Sequence, residues 1–425
     1  MAFTLLFISL LLMEFLIKSG LSLRQVRHVL AHYDAVPPAF AAAISLYSHQ
    51  RAARYTVAKH RMKRLEWAVD AALLLGLTVF GGLQFLNALT AQHLAHDGLR
   101  QLALIALLTA LIQLIHLPFS WWRHFRLDAH FGFNRMTQRT FWLDQLKGGL
   151  LGMAIGLPIL GGLLWLMAKG GGFWWGWAWL LWSGVVFSLV WVYPKWIAPC
   201  FNRFEPLDDA ALTRRIEALA ERTGFALDAL YVMDGSSRSA HANAYLTGLG
   251  RNKRIVFFDT LLSKLSADQI EAVLAHELGH FHFGHIRQRI IGQLLLAGLA
   301  FALLGWLHAQ AWFYTGLGVL PLAGRPNDAL ALILFMLALP RLSFYLQPLL
   351  NHWSRRHEYQ ADAYAAEHSS AKHLLEALLR LYDGNANTLT PDPLHTAFYD
   401  SHPPAARRVQ ALQPLVPPPS PELQT

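Results

Sequence analysis

Only one cysteine, Cys200, occurs in 425 residues. No internal disulfide can form, so a disulfide scaffold is excluded. Charge is scarce as well. Asp, Glu, Lys and Arg make up 15% of the chain, against roughly 25% in an ordinary soluble domain. A disordered chain, which combines high charge with low hydrophobicity, is excluded too. Glycine, at 30 residues, is far too sparse for a collagen-like chain. There is no internal repeat and no second globular domain. What the sequence does have is apolar mass: 54% hydrophobic residues, 15 Trp and 25 Phe, with a mean hydropathy of +0.30. Length and composition together indicate one polytopic membrane protein. The net charge of +9 then reads as basic loops held on the cytoplasmic side, and no nucleic-acid partner is expected.

A membrane-crossing helix needs about 20 mostly apolar residues. Seven segments qualify: Phe3–Leu21, Trp67–Leu89, Leu102–Phe119, Gly148–Ala168, Phe173–Tyr193, Ile290–Trp312 and Ala329–Leu350. The first has no basic leader and no small-residue cleavage site, so it reads as an anchor rather than a signal peptide. Lysine and arginine orient the chain. The segments 22–66, 120–147, 194–289 and the tail after Leu350 carry 31 of them, whereas the intervening loops carry only Arg100, Lys169 and Arg325. This asymmetry predicts an outside N-terminus and a cytoplasmic C-terminus. The Ala-, Leu- and Arg-rich composition has a bacterial character, which points to a bacterial inner membrane. Several polar residues lie inside the spans: Glu14, Lys18, Asp70, Gln84, Asn87, Gln113 and Arg341. In lipid each would be costly, so a polar interior is expected for them, with snorkelling as the alternative for Lys18 and Asp70.

The chain divides into a membrane region (1–193) with five spans, a region (194–413) containing the last two spans, and a Pro-rich disordered tail (414–425). Within the second region Asp208–Thr223 has helical periodicity and Ala229–Met233 reads as a strand. Asn243–Leu249 and Arg254–Phe258 read as a β-hairpin around Gly250-Arg251-Asn252-Lys253. Ser266 and Gln269 form a capping box for a following helix, with Asp268 in its first turn. Residues 351–384 read as helical.

That capped helix carries His276-Glu277-Leu278-Gly279-His280. Two histidines at i and i+4 share a helical face and can share a metal ion. Glu277, beside them, can take a proton from water. Gly279 in a helix interior costs about 1 kcal/mol relative to Ala and signals close packing. His241, His282 and His285 lie nearby. His280 and His285 have the wrong spacing for one face of a helix, and His282 and His285 read as interfacial or solvated. A catalytic zinc needs a third protein ligand and an open position. Glu358 is a candidate, with Asp362 one turn on as a hydrogen-bond partner for a liganding histidine. His357 and His352 are rivals. If the His276 helix continues unbroken into the sixth span, His276 lies roughly 21 Å before it, and Glu358 lies roughly 12 Å after the seventh. Both then sit near the same membrane face.

Further motifs accompany these: His130-Phe131-Gly132-Phe133-Asn134, Ile197 to Phe204, Asp234 to Tyr245, Arg254 to Leu261, and Ser401-His402-Pro403-Pro404 with Arg408. With seven spans, HExxH and Glu358…Asp362, this set resembles the integral-membrane zinc metalloproteases of the CAAX prenyl protease type 1 family, a gluzincin group. The resemblance implies a mainly α membrane protein whose helices enclose a large hollow chamber, with a cytoplasmic-side gluzincin domain containing a small β-sheet. It implies one Zn2+ per chain on His276, His280 and Glu358, Glu277 as general base, and Asp362 behind a liganding histidine. It places His402 and Arg408 near the metal, and assigns Asn243, Ala244 and Tyr245 to an edge strand where the substrate backbone pairs. The implied partners are the lipid bilayer and a peptide or protein substrate that can carry a lipid group. The implied reaction is removal of the C-terminal tripeptide after a prenylated cysteine. Nothing in the chain itself shows prenyl recognition. The alternatives are a broader quality-control endopeptidase of the same family, a seven-span transporter with structural zinc, or an inactive scaffold.

Overall fold

The computed structural model describes residues 1–247 and 253–416. It is mainly helical, with one small sheet. Chain order begins with α1 (Ala2–Ala31), α2 (Leu46–Leu77), α3 (Gly82–His93), α4 (Asp97–Trp122), α5 (Gln138–Lys169) and α6 (Trp174–Val192). Then follow β1 (Phe204–Pro206), α7 (Ala210–Arg222), β2 (Leu227–Met233), β3 (Ala244–Thr247), β4 (Lys253–Phe258) and α8 (Asp259–Leu262). The remainder is α9 (Ala267–His282), α10 (His285–Leu307), α11 (Ala311–Gly316), α12 (Asp328–Ser343), α13 (Gln347–His368), α14 (Ala371–Gly384), α15 (Pro393–Tyr399) and α16 (Ala405–Leu412).

Six helical stretches are long and apolar enough to cross a membrane, and seven when the bent pair α2–α3 counts as one. The expected seven spans are therefore present, but the second is not a straight helix. It bends by 52° between α2 and α3. Gly81 takes a left-handed φ of +78° there. The loop after α11 packs into the break so closely that a Cβ on Gly318, itself at φ +74°, would lie 2.2 Å from the Thr78 carbonyl oxygen. The buried apolar faces of the spans form one core, from Phe7 and Leu11 of α1 to Leu330 and Leu334 of α12.

The charged residues inside the spans are held in ion pairs. Arg341 Nη1 is 2.9 Å from Glu14 Oε2, Lys18 pairs with the other Glu14 oxygen, and His116 Nε2 is 3.1 Å from Asp70. All five line one cavity of about 270 Å³, so Lys18 and Asp70 face the protein rather than snorkel away from it.

Two further expectations are corrected. The HExxH helix does not run on into the sixth span. It stops at His282, and Gly284, at φ +67°, turns the chain into α10. The helical reading of 351–384 is split, because Ser369 leaves helical geometry and Ser370 caps α14 by accepting from His373 N.

The sheet has the order β1-β2-β4-β3. β3 and β4 are antiparallel, pairing Ala244 with Phe257 and Thr247 with Arg254, as the hairpin pattern predicts. The expected turn residues Gly250, Arg251 and Asn252 lie outside the described residues, as do Leu249 and the tail from 417. The tail boundary shifts slightly, since Gln413–Leu415 form a 3-10 turn. β2 pairs parallel with β4, and β3 has no partner on its outer side among the described strands. Ile255 and Phe257 of β4 share a core with Leu274 and Leu278 of α9 and Tyr364 of α13. This core fixes α9 between the sheet and α13.

Candidate metal centre

The centre is built on the crossing of α9 and α13. The expected capping box starts α9: Ser266 Oγ accepts from Gln269 N, and Gln269 Oε1 accepts from Ser266 N. Asp268 adds a favourable charge to the first turn. Ile270, Leu274 and Leu278 repeat every four residues and are buried, so this stripe faces the core. Glu271 is held by Arg222 of α7 at 2.8 Å.

Gly279 explains how α13 reaches the histidines. A Cβ at Gly279 would lie 3.0 Å from Ala361 Cα and 3.1 Å from Tyr364 Cβ. The two backbones touch at this point, and no side chain fits between them. Gly279 lies between His276 and His280, and Ala361 lies between Glu358 and Asp362. The close approach therefore brings all four functional side chains together.

His276, His280 and Glu358 form a group that could hold a metal ion. The two Nε2 atoms are 3.3 Å apart. His276 Nε2 lies 3.5 Å from Glu358 Oε2, and His280 Nε2 lies 3.4 Å from Glu358 Oε1. A tetrahedral ion with bonds of about 2.0–2.1 Å needs its ligands roughly 3.3–3.4 Å apart. Glu358 is 3% exposed, and its Oε2 has no hydrogen-bond partner among the described residues. An uncompensated buried carboxylate oxygen is costly, and a cation in this position would satisfy it. The rivals lie outside this group. His357 is buried but stacks on His285 at 3.9 Å, and neither His357 nor His352 joins the group.

Each histidine is held by its other nitrogen. His276 Nδ1 donates to Asp362 Oδ1 at 2.8 Å. Asp362 in turn accepts from Arg408 Nε at 2.8 Å and from Arg408 Nη2. Arg408 is 5% exposed. It touches Asp362 and the Nδ1 side of His276, away from the shared Nε2 face, so it acts as a positioning residue. Burial lowers the His276 imidazole, but its hydrogen bond to Asp362 and the neighbouring Glu358 carboxylate outweigh this and hold it up to about 9 when no ion is bound. A proton and a cation therefore compete for His276. Apparent metal affinity is expected to rise with pH up to about 9, by up to tenfold per pH unit. Calorimetric titrations of zinc at pH 6, 7 and 8 would measure this slope, and an affinity flat across them would refute it.

His285 was expected to be interfacial or solvated, and the structure places it in the site. It is 2% exposed. His280 Nδ1 and His285 Nδ1 are 3.0 Å apart, and His285 Nε2 is 3.0 Å from Gln360 Oε1. With Gln360 accepting from His285 Nε2–H, His285 Nδ1 accepts from His280 Nδ1–H. This leaves the His280 Nε2 lone pair free for a metal. The wrong helical spacing does not apply, because the left-handed turn at Gly284 redirects the chain between the two residues. His285→Phe is expected to weaken zinc binding by about 10–100-fold, the usual consequence of losing a partner behind a metal ligand. Competition with a colorimetric chelator would measure it, and an unchanged affinity would refute the relay.

The remaining predicted residues fall around this core. Glu277 is half-buried, with no hydrogen bond to another side chain among the described residues. His402 Nε2 is 3.5 Å from Glu358 Oε2, and His402 Nδ1 is 3.0 Å from Ser401 Oγ. Its side chain is 63% accessible, unlike the buried ligands, so its ring is open to an incoming molecule. Asn243 precedes the edge strand β3, and its carbonyl accepts from Phe258 N at 3.0 Å. Ala244 and Tyr245 lie within that strand.

The other sequence motifs meet at the chain leading into β3. Ala240 N donates to Phe133 O and Arg135 N to the Arg238 carbonyl, each at 3.0 Å. Arg238 bonds Asp144 at 3.0 Å and Asn202 Oδ1 at 3.1 Å. His241 stacks on Phe133 at 4.5 Å. Ala242 N donates to Asn385 Oδ1 at 3.0 Å. Asp144 and Asn385 went unnoticed in the sequence, because a lone Asp in an apolar run and a lone Asn after a helix carry no local signal.

Residues 25–203 match the family described as CAAX prenyl protease N-terminal, five membrane helices, and residues 206–416 match peptidase family M48. Curated relatives include CAAX prenyl protease 1 of Saccharomyces cerevisiae, 38% identical over 75% of this chain and 73% of that protein. They also include a CAAX prenyl protease 1 homolog of Homo sapiens, 31% identical over 79% of this chain and 80% of that protein. The crystal structure of S. mikatae Ste24p superposes with a TM-score of 0.89 at 32% identity, covering 96% of this chain and 99% of that one.

Proposed function

We propose, from the premise that this chain belongs to peptidase family M48 and is a multi-pass membrane zinc metallopeptidase, that it removes the C-terminal tripeptide that follows a prenylated cysteine. One observation carries the catalytic assignment. The Nε2 atoms of His276 and His280 and the carboxylate of Glu358, whose Oε2 has no hydrogen-bond partner among the described residues, lie 3.3–3.5 Å from one another, which suits one Zn2+ with a fourth position open. Membership of a peptidase family disfavours the transporter and scaffold readings, as does the complete ligand set.

The residues divide the work. His276, His280 and Glu358 would hold the ion, and Asp362, Arg408 and His285 fix the two rings so that Nε2 faces it. When bound, zinc supplies Lewis acidity toward the scissile carbonyl and lowers the pKa of water toward neutrality. Glu277, on the same helix as both histidines, takes the water's proton and returns it to the leaving amine. His402, with its exposed ring beside Glu358, donates to the developing oxyanion. The substrate backbone adds to the free edge of β3 near Asn243, Ala244 and Tyr245, which holds it extended. The excess of basic residues in the segments bearing the site supports a cytoplasmic active site with the N-terminus outside, and the composition supports a bacterial inner membrane. The buried polar groups of the spans support a hollow, water-containing interior.

The test uses detergent-purified protein and paired peptides, with and without farnesyl on the cysteine, read by mass spectrometry. Loss of the tripeptide from the farnesylated peptide, abolished by a chelator, is expected. Cleavage without regard to farnesyl would replace this reading with the quality-control one.

A further inference from the structure

A cavity of about 390 Å³ adjoins the metal centre on the His402 side. Lys59 and Lys63 of α2, His395 and Tyr399 of α15, and His402 are among its lining residues. His402 also contacts Glu358, so the cavity starts where the three candidate ligands end. Its size lies in the range of small-molecule sites.

Two donors of the cavity have no acceptor, and Lys59 Nζ lies over the Tyr55 ring at 4.1 Å. Tyr399 Oη and His395 Nδ1 are buried without a hydrogen-bond partner among the described residues. Neither Lys59 nor Lys63 forms an ion pair among the described residues, although Asp400 lines the same cavity. A buried donor left unpaired costs about 1–3 kcal/mol, and two ammonium groups beside two such donors favour an anionic acceptor. The substrate class proposed above ends in one. Three residues beyond a scissile bond reach at most about 10 Å, ending in a carboxylate.

We infer that this cavity receives the three residues on the leaving side of the scissile bond, and that Lys59 and Lys63, with Tyr399, bind their terminal carboxylate. This inference rests on the tripeptide-releasing reading and adds the recognition of a free chain end to it. The site would then measure three residues from a free C-terminus.

The test is a binding measurement that needs no turnover. The tripeptide Val-Ile-Ala, as free acid and as C-terminal amide, is titrated calorimetrically into the zinc-loaded, detergent-purified protein. The acid is expected to bind about tenfold or more tightly than the amide. In Lys63→Met the acid should fall to within about threefold of the amide, and Tyr399→Phe should lose a smaller part of the preference. Equal binding of acid and amide to the unmodified protein overturns the inference, as does failure of both to bind. A preference that survives in a folded Lys59→Met/Lys63→Met protein but vanishes on removing zinc also overturns it, because the carboxylate would then be seated on the metal. The farnesyl-peptide assay remains separate. A protein that releases the tripeptide yet binds acid and amide alike keeps the proposed function and loses this recognition site.

Discussion

Glu277→Gln is expected to lower peptide hydrolysis by about 10²–10⁴-fold, the usual contribution of a positioned general base, and to leave fold and zinc content unchanged. Three observations carry this. Glu277 is adjacent to His276 on α9 and three residues before His280, so it stays with the ligands however the helix moves. It is half-buried and bonded to no other side chain among the described residues, so glutamine disturbs no structural contact. Glutamine has the same shape but cannot take a proton at neutral pH. The measurement pairs initial cleavage rates with metal content and the thermal midpoint. A variant that keeps its zinc and its midpoint but still turns over would assign the proton transfer to another group. A variant that loses zinc would show that Glu277 has a structural part.

Much of this centre was legible in the sequence because its signals are local. HExxH states its own geometry through helical periodicity, and Ser266 with Gln269 marks where the helix starts. Glu358 and Asp362 share a face for the same reason. Choosing Glu358 over His357 required information that no local pattern holds. In the structure the contact of Gly279 with Ala361 aims Glu358 at the two histidines, and His357 stacks on His285. His285 was misread because helix spacing was carried through a residue that ends the helix. Gly284 adopts a left-handed conformation, and a single glycine between two helical runs does not announce that in advance. The bend after Leu77 was missed for a related reason. It depends on the loop at Gly318 packing against Thr78, some 240 residues away. Hydropathy recognised the spans because burial in lipid is a property of composition, whereas breaks within them depend on tertiary contacts.

Asp362→Ala is expected to be the most destabilising single change at the site, at about 3–5 kcal/mol, because it strands a buried charge. Arg408 is 5% exposed and Asp362 is 2% exposed, and their two-point contact neutralises both. Removing the carboxylate leaves the guanidinium buried and uncompensated. It also frees the His276 ring, which should weaken zinc binding by about 10–100-fold. The two effects can be separated. In Asp362→Ala/Arg408→Met both charges are gone, and replacing a buried ion pair by apolar groups is often close to neutral. The double variant should therefore recover most of the thermal midpoint lost by Asp362→Ala. Zinc affinity should stay low, because His276 Nδ1 still lacks its acceptor. The checks are thermal unfolding of the metal-free proteins and zinc competition with a chelator, run on the two single variants and the double. If the double variant is as unstable as the sum of the singles, the pair does not act as a unit. If zinc affinity returns together with stability, Asp362 supports the fold alone and has no part in holding the ring.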